Sequence, residues 1–246
     1  MKAEYILKAD CFKSFPAIQF GMSTRKGGVS PEPFGMNLSF SVGDAEENVR
    51  RNRELFFGAL EIRLDALATQ RQIHSGNVQV VRQPGNYHDC DAMITSQPGV
   101  FLCVSVADCV PIFLFDEKNK VVAGIHAGWR GTKAGIVSNT INLMKKEFGS
   151  DPAKIVAYIG PSASACCYEV GGEVASQFIS EFVIPRDGKI LLDLKAANTV
   201  QLVQSGVSSS SIEVSSLCTI TETQLLHSFR RDGVHSGRMM GVIGLL

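Results

Sequence analysis

Between Val100 and Ile125 the chain is dominated by three apolar runs, Val100–Val106, Val110–Phe115 and Val121–Ile125. Their Val, Ile and Phe content suits strands buried on both faces, and strands of that kind need covering layers on each side. Asp116–Lys120 is short enough to close a hairpin between the last two runs. A hairpin inside so apolar a region argues against a purely parallel sheet. Asp108 and Pro111 interrupt the longest apolar stretch, Gly99–Phe115, which is also shorter than the ~20 residues of a membrane helix. These runs therefore predict a buried sheet and not a membrane span.

Elements of both kinds flank this region. Asp44 with Glu47 resembles a capping box, and a helix is expected from there to about Leu60, with Val49, Asn52, Leu55, Phe56 and Leu60 on one face. Asn77–Arg82 alternates around Val78 and Val80, as a strand does. Ile136, Thr140, Leu143, Met144 and Glu147 have helical spacing within Thr132–Phe148, with Gly149 as the C-cap. Lys154–Ile159 reads as a strand, Gly172–Phe182 and Lys195–Gln204 as helices, and Ile190–Leu194, Ile212–Ser215 and Met239–Leu245 as short strands. The mixed order predicts an α/β layered sandwich. Residues 1–246 contain no repeat of fixed period and no low-complexity linker, so a single domain is expected.

Charge narrows the partners. The 24 Lys and Arg balance 24 Asp and Glu, so the basic field that nucleic-acid binding requires is absent in bulk. The densest basic group, Arg50, Arg51 and Arg53, is interleaved with Glu46, Glu47 and Glu54 and reads as a solvated helix face. The N-terminal residues hold no apolar core of signal-peptide length. A cytoplasmic chain, with its seven cysteines reduced, and no membrane partner is the expectation.

Reactive side chains concentrate in three stretches, Gln72-Ile73-His74-Ser75-Gly76, Ala107-Asp108-Cys109-Val110-Pro111 and His126-Ala127-Gly128-Trp129-Arg130-Gly131. Each lies where a strand meets a Gly- or Pro-marked turn, the usual place for functional side chains on a rigid scaffold. His74, Cys109 and His126 make a three-ligand set suited to Zn²⁺ with one position left open. The competing reading is a core cysteine and two histidines that only satisfy hydrogen bonds. Asp108 and Cys109 would point to opposite faces of a regular strand. A break at Pro111 would let both reach one site.

The motifs extend along the chain: STRKGGVS (Ser23–Ser30), NLS (Asn37–Ser39), VGDAEENVRRNR (Val42–Arg53), QIHSGNV (Gln72–Val78), VSVADCVPIFLFD (Val104–Asp116) and HAGWRG (His126–Gly131). YIGPSASACCYEV (Tyr158–Val170), LDLKAAN (Leu192–Asn198) and the segment Cys218–Arg238 follow in order. Together they resemble the YfiH family of laccase-domain proteins, also called multicopper polyphenol oxidase-like proteins and bacterial purine nucleoside phosphorylases. The resemblance spans almost the whole chain and implies an α-β-β-α sandwich with mixed sheets, related to deamidating toxins. It implies a zinc ion on His74, Cys109 and His126, phosphorolysis of adenosine, inosine, guanosine and methylthioadenosine, and deamination of adenosine. Leu226 and His227 stand where the family often has an aromatic pair.

On this reading the partners are a purine nucleoside and phosphate, and the protein is a monomer. Asp108 is the candidate proton shuttle. Arg25, beside Gly27 and Gly28, is a candidate contact for phosphate or ribose. Asn37 and Gln72 are candidates for orienting substrate. Arg130 is either a substrate contact or one half of an internal ion pair, and Trp129 is read as core packing.

Two other readings compete. In one, Cys109 is the nucleophile of a cysteine hydrolase acting on cell-wall peptide precursors, with His126 or His74 as its base. In the other, the same ligands hold copper in a phenol oxidase. Five histidines, none two residues from another, are too few for the clusters of a multicopper laccase. Cys166 and Cys167 read as buried thiols, Cys11, Cys90, Cys103 and Cys218 as core or surface thiols, and His235 as a possible border of the pocket.

Overall fold

The computed structural model describes residues 5–246. Its strands, in chain order, are β1 (Ile6–Leu7), β2 (Ile18–Ser23), β3 (Leu67–Gln70), β4 (Val78–Val80), β5 (Gly85–Tyr87), β6 (Ala92–Thr95) and β7 (Phe101–Val106). They continue with β8 (Val110–Asp116), β9 (Val121–Ala127), β10 (Ile155–Ile159), β11 (Val183–Arg186), β12 (Lys189–Leu192), β13 (Ile212–Val214) and β14 (Met239–Leu245). The helices are α1 (Glu46–Ala59), α2 (Trp129–Lys133), α3 (Ile136–Phe148), α4 (Gly172–Ala175), α5 (Leu194–Gln204) and α6 (Phe229–Asp232).

Two mixed six-stranded sheets carry the fold. The first has the order β1-β2-β14-β7-β3-β5 and the second β13-β10-β8-β9-β6-β4, with β11-β12 as a separate ribbon. Period-two alternation explains why the central strands are apolar throughout. On β8, Ile112 and Leu114 face one core while Phe113 and Phe115 face another. On β7, Leu102 and Val104 point between the sheets while Phe101 and Cys103 point outward beneath α1.

Three seams result. One lies between the sheets, where Phe20 meets Phe113 edge-on at 5.0 Å between centroids. The second sheet packs outward on α3 and α5 through Ile136, Ile141, Met144 and Leu202. The first sheet packs outward on α1 through Phe56 and Phe57. This is the α-β-β-α sandwich.

Local expectations divide. The hairpin over Asp116–Lys120 is present, with Asp116 opposite Val121. The helix ending at Gly149 is present, but Gly135, at φ 71°, splits the expected Thr132–Phe148 helix into α2 and α3. Asp44 caps nothing: Ala45 holds the N-cap without a side-chain bond, and the Asp44 carboxylate instead accepts hydrogen bonds from Ser30 and Asn37. Gly172–Phe182 supplies only the single turn α4 and a 3-10 turn at Ser180–Phe182. Val174, Phe178 and Phe182 still reach the core, so the apolar spacing was meaningful although the helix was not.

The crossing that makes the site lies between β7 and β8. β7 belongs to the first sheet and β8 to the second, so Ala107–Cys109 bridges the layers. The backbone breaks at Asp108, which has φ 95°, and not at Pro111, which pairs regularly opposite His126 in β8.

Candidate metal centre

Neighbouring strand ends of the second sheet assemble the centre. Pro111 lies opposite His126 on the paired strands β8 and β9, which places Cys109, just before β8, at the end of the sheet where His126 lies. Ala92 of β6 lies opposite Ile125, and Val78 of β4 opposite Ala92, so the residues preceding β6 and β4 arrive at that end too. The residue before β6 is Asp91, and the loop before β4 carries His74.

One donor atom from each of His74, Cys109 and His126 lies within 4.8 Å of the other two. Cys109 Sγ is 3.9 Å from His74 Nε2, and the two imidazoles meet edge to face at 4.9 Å between centroids. His126 is buried, Cys109 half-buried and His74 exposed, so the set opens to one side. A Cβ on Gly128 would lie 2.9 Å from His74 Cδ2 and 3.0 Å from Cys109 Sγ. The HAGWRG glycine thus leaves the room in which the three donors converge.

Asp91 organises this centre, and no sequence motif singled it out. It is fully buried. Its carboxylate accepts from the backbone N–H of His74 (2.9 Å) and Ser75 (2.6 Å), from the Ser75 hydroxyl (2.7 Å) and from His126 Nδ1 (2.8 Å). With Nδ1 engaged, His126 presents Nε2 to the centre, which is the carboxylate–histidine arrangement that fixes metal-binding imidazoles. The one signal available was an Asp between Cys90 and the apolar run Ala92–Thr95.

Charge in the centre is coupled. Burial would raise the Asp91 pKa, but the bonds from His126 and Ser75 hold it down at about 2. Burial would likewise raise the Cys109 thiol, and His126 and His74 outweigh it, bringing it to about 6. Burial opposes charge on His126, yet Cys109 and Asp91 raise it to about 9. A thiol held near its thiolate form beside two imidazoles is a donor set that a Zn²⁺-class cation fits.

A cavity of about 880 Å³ opens over the centre. His74, Cys109 and His126 line it together with Gln72, Asp108, Trp129 and Tyr168. Arg53, Arg71, Arg130, Arg230 and Arg238 also line it, and among the described residues none of the five pairs with a carboxylate. Arg130 lies over Trp129, Arg230 over Tyr168 and Arg238 over Phe229, at 4.2–5.3 Å from the ring centroids. Arg53 is half-buried, stacks on Phe40 and leaves a buried Nε without a partner among the described residues. It is therefore not part of the solvated face that Arg50 and Arg51 form with Glu46 and Glu54.

The other expected residues have separate places. Gln72 lines the cavity, with its amide paired to the backbone N–H and C=O of Ser105. Asp108 is buried at the wall and accepts from the Thr219 hydroxyl and the Arg230 N–H, each at 2.6 Å. Trp129 both packs on the outer core of the second sheet and lines the cavity. Asn37 is fully buried and accepts from the Arg238 N–H at 2.9 Å. Arg25 lies outside the cavity lining, bonded to Thr223 and Pro33 carbonyls and to Glu32. His235 is exposed and is also absent from the lining.

Layering and site together define a mixed α/β sandwich with a histidine–cysteine centre at a sheet end. The family model described as multi-copper polyphenol oxidoreductase laccase matches residues 19–246, and the chain belongs to that family. The chain is 36% identical to a purine nucleoside phosphorylase of Bacteroides thetaiotaomicron, over 98% of this chain and 97% of that one. It is 35% identical to adenosine deaminase RL5 of an unknown prokaryotic organism, over 94% and 95%. The crystal structure of Bacillus licheniformis hypothetical protein YfiH superposes with a TM-score of 0.94 at 31% identity, covering all of this chain and 98% of that one. YlmD from Geobacillus stearothermophilus gives 0.91 at 32%, covering 100% and 97%.

Proposed function

We propose that this protein is a zinc-dependent enzyme of purine nucleosides, cleaving them with phosphate and deaminating adenosine. The observation that carries the reading is the juxtaposition of a His74–Cys109–His126 donor set with a cavity wall of arginines that lack carboxylate partners among the described residues. The names of the two relatives described above supply the nucleoside chemistry. His74, Cys109 and His126 would hold the zinc, which supplies Lewis acidity and makes water more acidic at the cavity floor. Arg53 and Arg238, both half-buried, attract and orient the phosphate. Tyr168 and Phe229 offer aromatic faces to the purine. Asp108, the only carboxylate among the described residues that lines the cavity, holds or releases the proton, and Thr219 and Arg230 fix its orientation.

The test is metal content together with two assays on purified protein. Stoichiometric zinc, hypoxanthine from inosine plus phosphate, and inosine from adenosine are expected, all lost in Cys109→Ala. Fully zinc-loaded protein inactive in both assays would sink the proposal.

A second reading has its own support, because Cys109, His126 and Asp91 are also ordered like a nucleophile, its base and an orienting carboxylate. A cysteine hydrolase would keep amidase activity on peptides after chelation, and its Cys109 would alkylate faster. A zinc enzyme loses all activity on chelation and regains it with zinc.

A further inference from the structure

A second sulfur cluster lies apart from the catalytic cavity. Cys166 and Cys167, in the loop after β10, converge on Cys218, in the segment after β13. Sulfur–sulfur distances are 2.8 Å for Cys166–Cys167, 3.4 Å for Cys167–Cys218 and 3.8 Å for Cys166–Cys218. All three are free thiols. Among the described residues no imidazole or carboxylate donor joins them in the cluster, and none of the three belongs to the His74–Cys109–His126 set.

The backbone builds this convergence. Ser162 and Cys218 form a parallel bridge, Thr219 N–H donates to Ser162 O, and the N–H groups of Cys167 and Tyr168 donate to Ser164 O, folding the vicinal pair back over the bridge. Ser164 N–H donates to Cys218 Sγ at 3.4 Å, a polar contact that favours a sulfur carrying negative charge. Cys218 is buried and Cys166 exposed. Cys166 opens on a separate cavity of about 450 Å³, which Lys195 also lines. That cavity gives a small ion access from solvent, and the ammonium offsets part of the charge of a thiolate cluster.

We infer that Cys166, Cys167 and Cys218 form a second metal site, selective for a soft monovalent cation of the Cu(I) class. Three sulfur donors without nitrogen or oxygen suit Cu(I), whereas a structural zinc site would ask for a fourth ligand. Binding releases thiol protons to solvent and changes no oxidation state. It would clamp the loop of Tyr168 to the segment of Thr219, and hence two parts of the catalytic cavity's surround.

The experiment uses the reduced Cys109→Ala chain of residues 1–246, so that the first centre does not compete, and Cu(I) buffered anaerobically by a chromophoric chelator. One Cu(I) per chain is expected. Adding Cys167→Ala and Cys218→Ala should weaken binding by more than the roughly 10–100-fold that loss of an outer-shell partner costs a metal site. Adding Cys11→Ala and Cys90→Ala instead should leave it unchanged. If the cluster variant fails to fold, alkylation with peptide mapping on the Cys109→Ala protein decides: Cys166 should be protected at one equivalent of Cu(I). Equal labelling of Cys166 with and without Cu(I), or unchanged affinity in a folded cluster variant, would overturn the inference.

Discussion

At the scale of single residues, the largest consequences attach to buried polar groups. Asp91 gathers donors from two parts of the chain, so its effect should exceed its size. Asp91→Asn keeps the shape but removes the charge that orients His126, and we expect zinc affinity to fall about 10–100-fold. Competition titration against a zinc chelator measures this, and unchanged affinity would show that His126 orients without Asp91. His227 is the opposite case, buried with neither ring nitrogen hydrogen-bonded among the described residues and packed where a Cβ on Gly237 would come within 2.7 Å of it. Burial first, then Arg25, Arg238 and Arg231, depress its pKa from 6.5 to about 3, with Asp232 opposing. The unfolded chain therefore takes up a proton below about pH 6.5 that the folded chain refuses until about pH 3. Stability is full above pH 6.5 and is lost as pH falls toward 3. His227→Phe removes this linkage, so its melting temperature should fall less steeply between pH 6.5 and 4 than that of the parent. Parallel curves would contradict it.

At the scale of elements, backbone conformation decides where helices stop. Gly135 sits at φ 71° between α2 and α3, a region that costs other residues about 1–2 kcal/mol. Gly135→Ala should lower the melting temperature by ~2–4 °C for each kcal/mol lost, and an unchanged midpoint would mean that the break is not required. The same break limited what the sequence could reveal, since Ile136, Thr140 and Met144 show one helical period while nothing in Ala134-Gly135 announces two helices. Strands apolar on both faces, such as β8, β9 and β14, were legible because burial from two sides confines polar residues to their ends, at Asp116 and His126. β2 and β3 were not, because Gln19 and Gly21 interrupt one and Thr69 and Gln70 end the other. The convergence of His74, Cys109 and His126 was legible because each sits at a turn with its own motif. Asp91 and Arg53 were not, because their roles depend on strand neighbours and on a cavity that no local pattern encodes.

At the scale of the whole molecule, zero net charge conceals a strongly uneven distribution. Five arginines face one cavity, while the ion pairs of Arg50, Arg51 and Arg63 lie on exposed surface. A concave, partly desolvated wall in which five arginines face a single carboxylate, Asp108, concentrates small anions. The two proposed reactions separate this effect, because phosphorolysis needs phosphate and deamination does not. Arg53→Met keeps the long side chain against Phe40 and removes the guanidinium. If Arg53 holds phosphate, the KM for phosphate in inosine cleavage should rise about tenfold or more, equivalent to about 1.4 kcal/mol or more of lost binding. In the same preparation, kcat/KM for adenosine deamination should stay within about twofold, because no ligand of the metal centre has changed. Steady-state kinetics of both reactions at fixed ionic strength measure the split. Equal losses in both would mean that Arg53 supports the cavity's shape and not its anion affinity, and the phosphate subsite would then have to rest on Arg238 and Arg230.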